Sequence, residues 1–113
     1  MRTYFHGGTA GLNVGDLVRP AVSLGISHSR TLNQPRYTPR RVYITRIRWY
    51  AELFANSHRG DVYEVRPVGH ALPDLDARGS FHCPCAEVVA VVARHPVPMP
   101  AEAGRILPMG ATR

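Results

Sequence analysis

Four places along the chain carry side chains able to do chemistry. His6 ends the run Tyr4-Phe5-His6 and is followed by Gly7-Gly8, so an imidazole stands beside backbone that a ligand can approach closely. Tyr43 lies in Arg41-Val42-Tyr43-Ile44-Thr45, a stretch of strand composition. Phe54 follows eleven residues after Tyr43, in a segment of helical spacing. Asp74 and Asp76 sit in Pro73-Asp74-Leu75-Asp76. A histidine, aromatic faces and a carboxylate are the parts needed to break a glycosidic bond to a positively charged leaving group. The aromatics stack on a flat ring. The imidazole hydrogen-bonds a sugar hydroxyl. The carboxylate stabilises positive charge as it develops. The backbone of Gly7, with no Cβ in the way, is open to a carboxamide. Each of these residues also has a plain structural role: a strand-end histidine, a core tyrosine, an aspartate in a turn.

The elements that must position them follow from pattern. Residues 3–6 read as a short strand ended by the two glycines, and residues 40–45 as a second strand. Residues 47–55 fit a helix with Ile47, Tyr50, Ala51 and Phe54 on one face and Thr45 as its N-cap. Residues 61–65 alternate as a strand closed by Pro67, and residues 80–83 read as a strand edge. Residues 87–93 are the most apolar strand, expected to be central. A long loop covers residues 21–39, expected to be functional or mobile. The order predicts a strand-rich α+β fold with one main helix. At 113 residues the chain is one domain, expected over residues 1–94 with a Pro-rich C-terminal tail at 95–113.

Composition narrows the partners. A hydrophobic fraction of 44% with 19% charged residues excludes a disordered chain, a collagen and a coiled coil. The formal net charge is +6, and every basic residue is arginine. That balance suits an anionic partner such as nucleic acid or a dinucleotide. The longest apolar run, residues 88–93, is far below the roughly 20 residues of a membrane span. Without an apolar leader near Met1, the expected compartment is the cytoplasm, with no membrane partner. Cys83-Pro84-Cys85 is too tight for an ordinary disulfide framework and lacks the second pair of a zinc site, so two reduced thiols and no metal are expected.

Several segments, in order, carry a resemblance. Tyr4-Phe5-His6-Gly7-Gly8-Thr9, followed by Leu12-Asn13-Val14-Gly15-Asp16-Leu17, resembles the opening of the rifamycin ADP-ribosyltransferases, the Arr family, where a His-Gly-Thr segment precedes Leu-x-x-Gly-Asp. Val42-Tyr43-Ile44-Thr45 is similar to the second motif of that family, and Ala51-Glu52-Leu53 to the helix after it. The run from Arg59-Gly60-Asp61 through Tyr63 to Pro67-Val68-Gly69 resembles the family's Arg-Gly-Arg-Ile-Tyr-x-Val-Glu-Pro-x-Gly strand. Ser80-Phe81-His82-Cys83 and the following Val88-Val89 are similar to a later Ser-Tyr-Arg-Ser segment and its Val-rich strand. The resemblance implies a small split β-sheet and NAD as co-substrate. It assigns His6 to the NAD ribose, Tyr43 to stacking on nicotinamide, Asp74 to the catalytic carboxylate and Phe54 to the second aromatic. Asp76 is the rival carboxylate.

The departures bear on the acceptor. The segment between Tyr43 and Arg59 is shorter than in the rifamycin enzymes, as is the loop after the catalytic aspartate, and the Pro-rich tail replaces the family's last helix. Leu72, two residues before Asp74, is neither Glu nor Gln, which argues against arginine- or asparagine-type acceptors. The expected activity is transfer of ADP-ribose from NAD to an unidentified acceptor, a small-molecule hydroxyl, a protein or a nucleic acid. The alternative is an inactive fold of this type serving as a basic nucleic-acid- or protein-binding module. Arg19, Arg40 and Arg41 are the candidates for the NAD pyrophosphate.

Overall fold

The computed structural model describes residues 2–24 and 38–98. Seven strands and one α-helix run in the order β1 (Tyr4–Gly7), β2 (Leu17–Val18), β3 (Val42–Thr45), α1 (Arg48–Ser57), β4 (Val62–Val68), β5 (Leu72–Pro73), β6 (Ser80–Cys83) and β7 (Cys85–Ala93). A single 3-10 turn covers Ala21–Leu24. The strands form one antiparallel sheet in the spatial order β2-β7-β4-β1-β3-β6-β5. The fold is therefore a strand-rich α+β arrangement with one α-helix among the described residues. The expected loop over residues 21–39 begins with the 3-10 turn; residues 25–37 lie outside the described residues, as do residues 99–113 of the expected tail.

The sheet has a weak seam. β1 pairs with β4 over four positions, Tyr4↔Val65 to Gly7↔Val62. Its other side meets β3 at one register position, Phe5↔Thr45. On its other side β3 pairs along its whole length with β6, from Val42↔Cys83 to Thr45↔Ser80. The sheet is thus two laminae joined at one residue pair.

Alternation places the core on both faces. Tyr4, Val42, Ile44, Tyr63, Val65, Cys83, Ala86 and Val88 fill one face, and Tyr4 meets Phe81 edge-on at 5.5 Å between ring centres. On the other, Ala51 and Ala55 of α1 pack on Phe5 and Val62, joined by Val97 from the chain beyond β7. The small residues let α1 lie close. A Cβ on Gly7 would fall 1.8 Å from the Ala51 carbonyl oxygen, so the helix itself explains why this position is glycine. The helix runs from Arg48, with Ile47 at its N-cap, and extends to Ser57, two residues past the expected end. Thr45 still serves the start of the helix: its Oγ1 accepts the Ile47 N–H at 3.1 Å.

Three expectations about strands are corrected. Pro67 does not close β4; it pairs with Ala86 inside a strand that continues to Val68. The β1 partner stops at Val65, so the Pro67 side lacking an N–H faces no ladder. Residues 80–83 are not an edge, because β5 covers β6 with Leu72↔His82 and Pro73↔Phe81. β7 is not central; β1 is, and β7 lies one strand in from the edge between β2 and β4. Its apolar run reflects one buried face plus partial cover by α1 rather than burial on both faces.

A buried carboxylate ties the far end of β1 to the rest. Asp61 Oδ2 accepts the Gly11 N–H and an Arg94 Nη1–H, both at 2.8 Å, and Oδ1 accepts the His95 N–H at 2.7 Å. Fully buried Tyr63 donates its hydroxyl to the Thr9 carbonyl at 2.6 Å and accepts the Leu12 N–H at 3.0 Å. Burial opposes the charge of Asp61, but the hydrogen bonds from Gly11, Arg94, His95 and Tyr63 prevail and bring its pKa down to about 2. With the folded pKa below the ordinary carboxylate value, this stabilisation is complete above about pH 4 and is lost as the pH falls through about 2. Asp61→Asn is expected to lower the unfolding free energy by about 2 kcal/mol at pH 7, since charge-assisted hydrogen bonds are replaced by weaker ones. Urea titrations of both proteins at pH 7 and pH 3 check this, with the difference shrinking at the lower pH.

Candidate functional site

The seam between β1 and β3 is where His6 meets the backbone of Tyr43. His6 faces Tyr63 across β4, and the β1–β3 ladder has already ended at Phe5. The Tyr43 main-chain carbonyl on β3 accepts a hydrogen bond of 2.8 Å from His6 Nδ1. A carbonyl only accepts, so Nδ1 carries the proton and Nε2 presents its lone pair. Gly8 makes room for that nitrogen: a Cβ there would lie 3.3 Å from Nε2. Burial lowers the His6 pKa first, the bond to the Tyr43 carbonyl works against it, and the charge of His58 lowers it further. His6 is therefore a neutral imidazole of fixed tautomer at neutral pH.

The Tyr43 side chain lies on the α1 face of β3, two positions from Thr45, the partner of Phe5. Its cross-strand neighbour is His82, with ring centres 5.5 Å apart and a 44° tilt. The Tyr43 hydroxyl accepts the Thr38 N–H at 3.0 Å. Arg41, on the same face, donates from Nε to His82 Nδ1 at 2.9 Å. It also donates from Nη2 to the carbonyls of His82 (3.2 Å) and His70 (3.4 Å).

Asp74 and Asp76 follow β5 in the tight loop to β6. The Asp74 N–H bonds to the Ser80 carbonyl at 2.9 Å, and its Oδ1 accepts the Asp76 N–H at 3.0 Å, an Asx turn that fixes the carboxylate. Both aspartates act electrostatically on Tyr43. Burial raises the Tyr43 pKa most, the Thr38 N–H lowers it, Asp74 and Asp76 raise it, and Arg41 lowers it. For His82, burial lowers the pKa most, Arg41 adds to that, and Asp74 opposes it.

Phe54 sits half-buried on α1, edge-on to Tyr50 at 5.0 Å. Its ring partner is thus Tyr50 rather than Tyr43. Its carbonyl accepts His58 Nδ1–H at 2.9 Å, which sets His58 at the end of the helix that acts on His6. Gly7 belongs to the β1–β4 ladder, with its open side taken by α1 as described above. The structure brings His6 to the backbone of Tyr43, and the field of Asp74 and Asp76 to the ring of Tyr43. It leaves Phe54 on the helix beside Tyr50.

Sequence reasoning missed the pairing of Tyr43 with His82 and the part His58 plays. Alternation alone puts Arg41 and Tyr43 on one face, but only the β3–β6 register adds His82 to them. The two cysteines flank the same region as free thiols, and burial pushes the Cys83 thiol up to about 11, which makes it inert.

Long-range nitrogen–proton NMR correlations are expected to show His6 protonated at Nδ1 only at pH 6.5, with titration below the ordinary histidine value. Because the unfolded chain takes up that proton first, folding stability is expected to fall as the pH drops below about 6.5. His6→Gln is expected to flatten that part of the profile in urea titrations. No family model matches this chain, and no curated protein matches it.

Proposed function

We propose that the chain is an NAD-dependent mono-ADP-ribosyltransferase, which moves ADP-ribose from NAD to an acceptor and releases nicotinamide. The observation that carries this reading is the 2.8 Å bond from His6 Nδ1–H to the Tyr43 carbonyl. It leaves Nε2 of a neutral imidazole as a hydrogen-bond acceptor beside the backbone of the residue whose ring is under the influence of two carboxylates. Further support comes from the order of the segments that resemble the rifamycin enzymes. Among the described residues no helix is long and apolar enough to cross a membrane.

The chemistry follows from these groups. A ribose hydroxyl of NAD donates to His6 Nε2 and fixes the sugar. Nicotinamide lies against Tyr43; Gly7, paired in the β1–β4 ladder and covered by α1, and Phe54, set against Tyr50, take no part in holding it. The bond between the anomeric carbon and the ring nitrogen breaks, and its electron pair leaves with nicotinamide. Positive charge grows on the sugar and is stabilised by the Asp74 carboxylate, with Asp76 adding to the field. The acceptor's nucleophilic atom then bonds to the anomeric carbon and gives up its proton to solvent. The acceptor is a small-molecule hydroxyl, a protein or a nucleic acid; the +6 charge favours a macromolecular anion.

Nicotinamide release from NAD by the purified chain tests the reading. The wild type is expected to release nicotinamide, and His6→Ala and Asp74→Ala to reduce the rate at least about a hundredfold while remaining folded by circular dichroism. Asp76→Ala run beside them decides which carboxylate carries the charge. No release and no NAD binding at millimolar concentration would overturn the enzyme reading in favour of a basic binding module.

A further inference from the structure

Arg41 is held unlike any other arginine in the described residues. Its Nε and Nη2 are committed to His82 Nδ1 and to the carbonyls of His82 and His70, which fix the plane of the guanidinium. A guanidinium has five N–H groups. Those on Nη1 have no acceptor among the described residues. Nor does Arg41 have a carboxylate within ion-pair distance there, whereas Arg48, Arg66 and Arg94 are paired with Glu52, Glu87 and Asp61. Its neighbour His82 accepts from Arg41 at Nδ1, so Nε2 of the neutral ring carries a proton and is a second donor. A half-buried, oriented cation with no ion-pair partner among the described residues, beside an N–H donor, is suited to an anion.

The charges are also ordered. At Tyr43 the effect of Asp74 and Asp76 outweighs that of Arg41; at His82, the next ring along the same face, Arg41 outweighs Asp74. The two carboxylates are thus the stronger charged neighbours of the tyrosine ring, and the guanidinium is that of the histidine ring. A dinucleotide with a cationic ring at one end and a diphosphate beyond the ribose has the complementary order. The other two candidates are not held in this way: Arg19 and Arg40 are both exposed, and among the described residues no side-chain hydrogen bond fixes either guanidinium.

We infer that Arg41, with the Nε2–H of His82 beside it, anchors the diphosphate of NAD; this rests on the NAD reading above and specifies which end of the site holds the phosphates. Arg41 is a binding residue, and His82 both orients it and contributes a donor.

Calorimetric titrations with ADP-ribose, which has the diphosphate but no nicotinamide, and with nicotinamide alone separate the two ends. Arg41→Gln is expected to weaken ADP-ribose binding about ten- to a hundredfold and to leave nicotinamide binding unchanged. Arg41→Lys, which keeps the charge but cannot make the same three bonds, is expected to lose part of that affinity. Equal ADP-ribose affinity in wild type and Arg41→Gln, with nicotinamide still released from NAD by the wild type, would overturn this inference alone. Failure of the wild type both to bind ADP-ribose and to release nicotinamide would overturn the inference together with the NAD reading. Should Arg41→Gln not fold, the Arg41 Nε–H resonance of the wild type decides. A shift with ADP-ribose but not with nicotinamide supports the assignment, and the reverse pattern overturns it.

Discussion

The single-pair junction between β1 and β3 is the constraint around which the rest is arranged. A continuous ladder would have used the Tyr43 carbonyl in the sheet and packed His6 as one more strand residue. Because the ladder stops at Phe5↔Thr45, a main-chain acceptor is left at the seam, and a buried carbonyl without a partner is costly. His6 supplies the partner, and in doing so loses the freedom to choose its tautomer. One irregularity in pairing thus satisfies the backbone and orients a side chain at once. α1 covers the seam from one side because Gly7, Ala51 and Ala55 leave it room to come close.

The seam holds only if the chain leaving β1 is itself anchored. The Asp61 carboxylate does this from the start of β4. It gathers the Gly11 and His95 N–H groups and the Arg94 guanidinium, while Tyr63 fastens Thr9 and Leu12. Gly60 and Gly8 touch backbone to backbone beside it; a Cβ on Gly60 would fall 1.1 Å from the Gly8 carbonyl oxygen. The residues following His6 are therefore fixed by polar bonds on one side and close packing on the other. A mobile loop at this point would let Nε2 wander.

How much of this was legible in the sequence depended on whether the signal was local. The helix after Tyr43 was readable from its 3.6-residue spacing, and the strands around Tyr4, Tyr43 and Tyr63 from β-branched and aromatic content. Register was not. That His82 lies across from Tyr43 depends on where β3 and β6 align, and nothing in either segment states that offset. Pro67 was misread for the same reason, since a proline is tolerated wherever its missing N–H faces no neighbour, and that is known only once the neighbours are. Asp61 reads as a turn residue in Arg59-Gly60-Asp61. Its role comes from four partners spread over Gly11, Tyr63, Arg94 and His95, beyond the reach of any local pattern. His6, Tyr43 and Asp74 stood out because histidine, aromatic and carboxylate residues are conspicuous by type, whereas Arg41 was one arginine among several.

The two outermost strands are only two residues long, and the one nearest the aspartates ends in Pro73, which has no N–H to offer. A sheet rim built this way gives a second chain almost nothing to align against. The loop carrying Asp74 and Asp76 can therefore stand at the border of the sheet without inviting edge-to-edge stacking of copies. A chain with a charged loop on its rim is in this way spared the usual conflict between an accessible border and a sticky one.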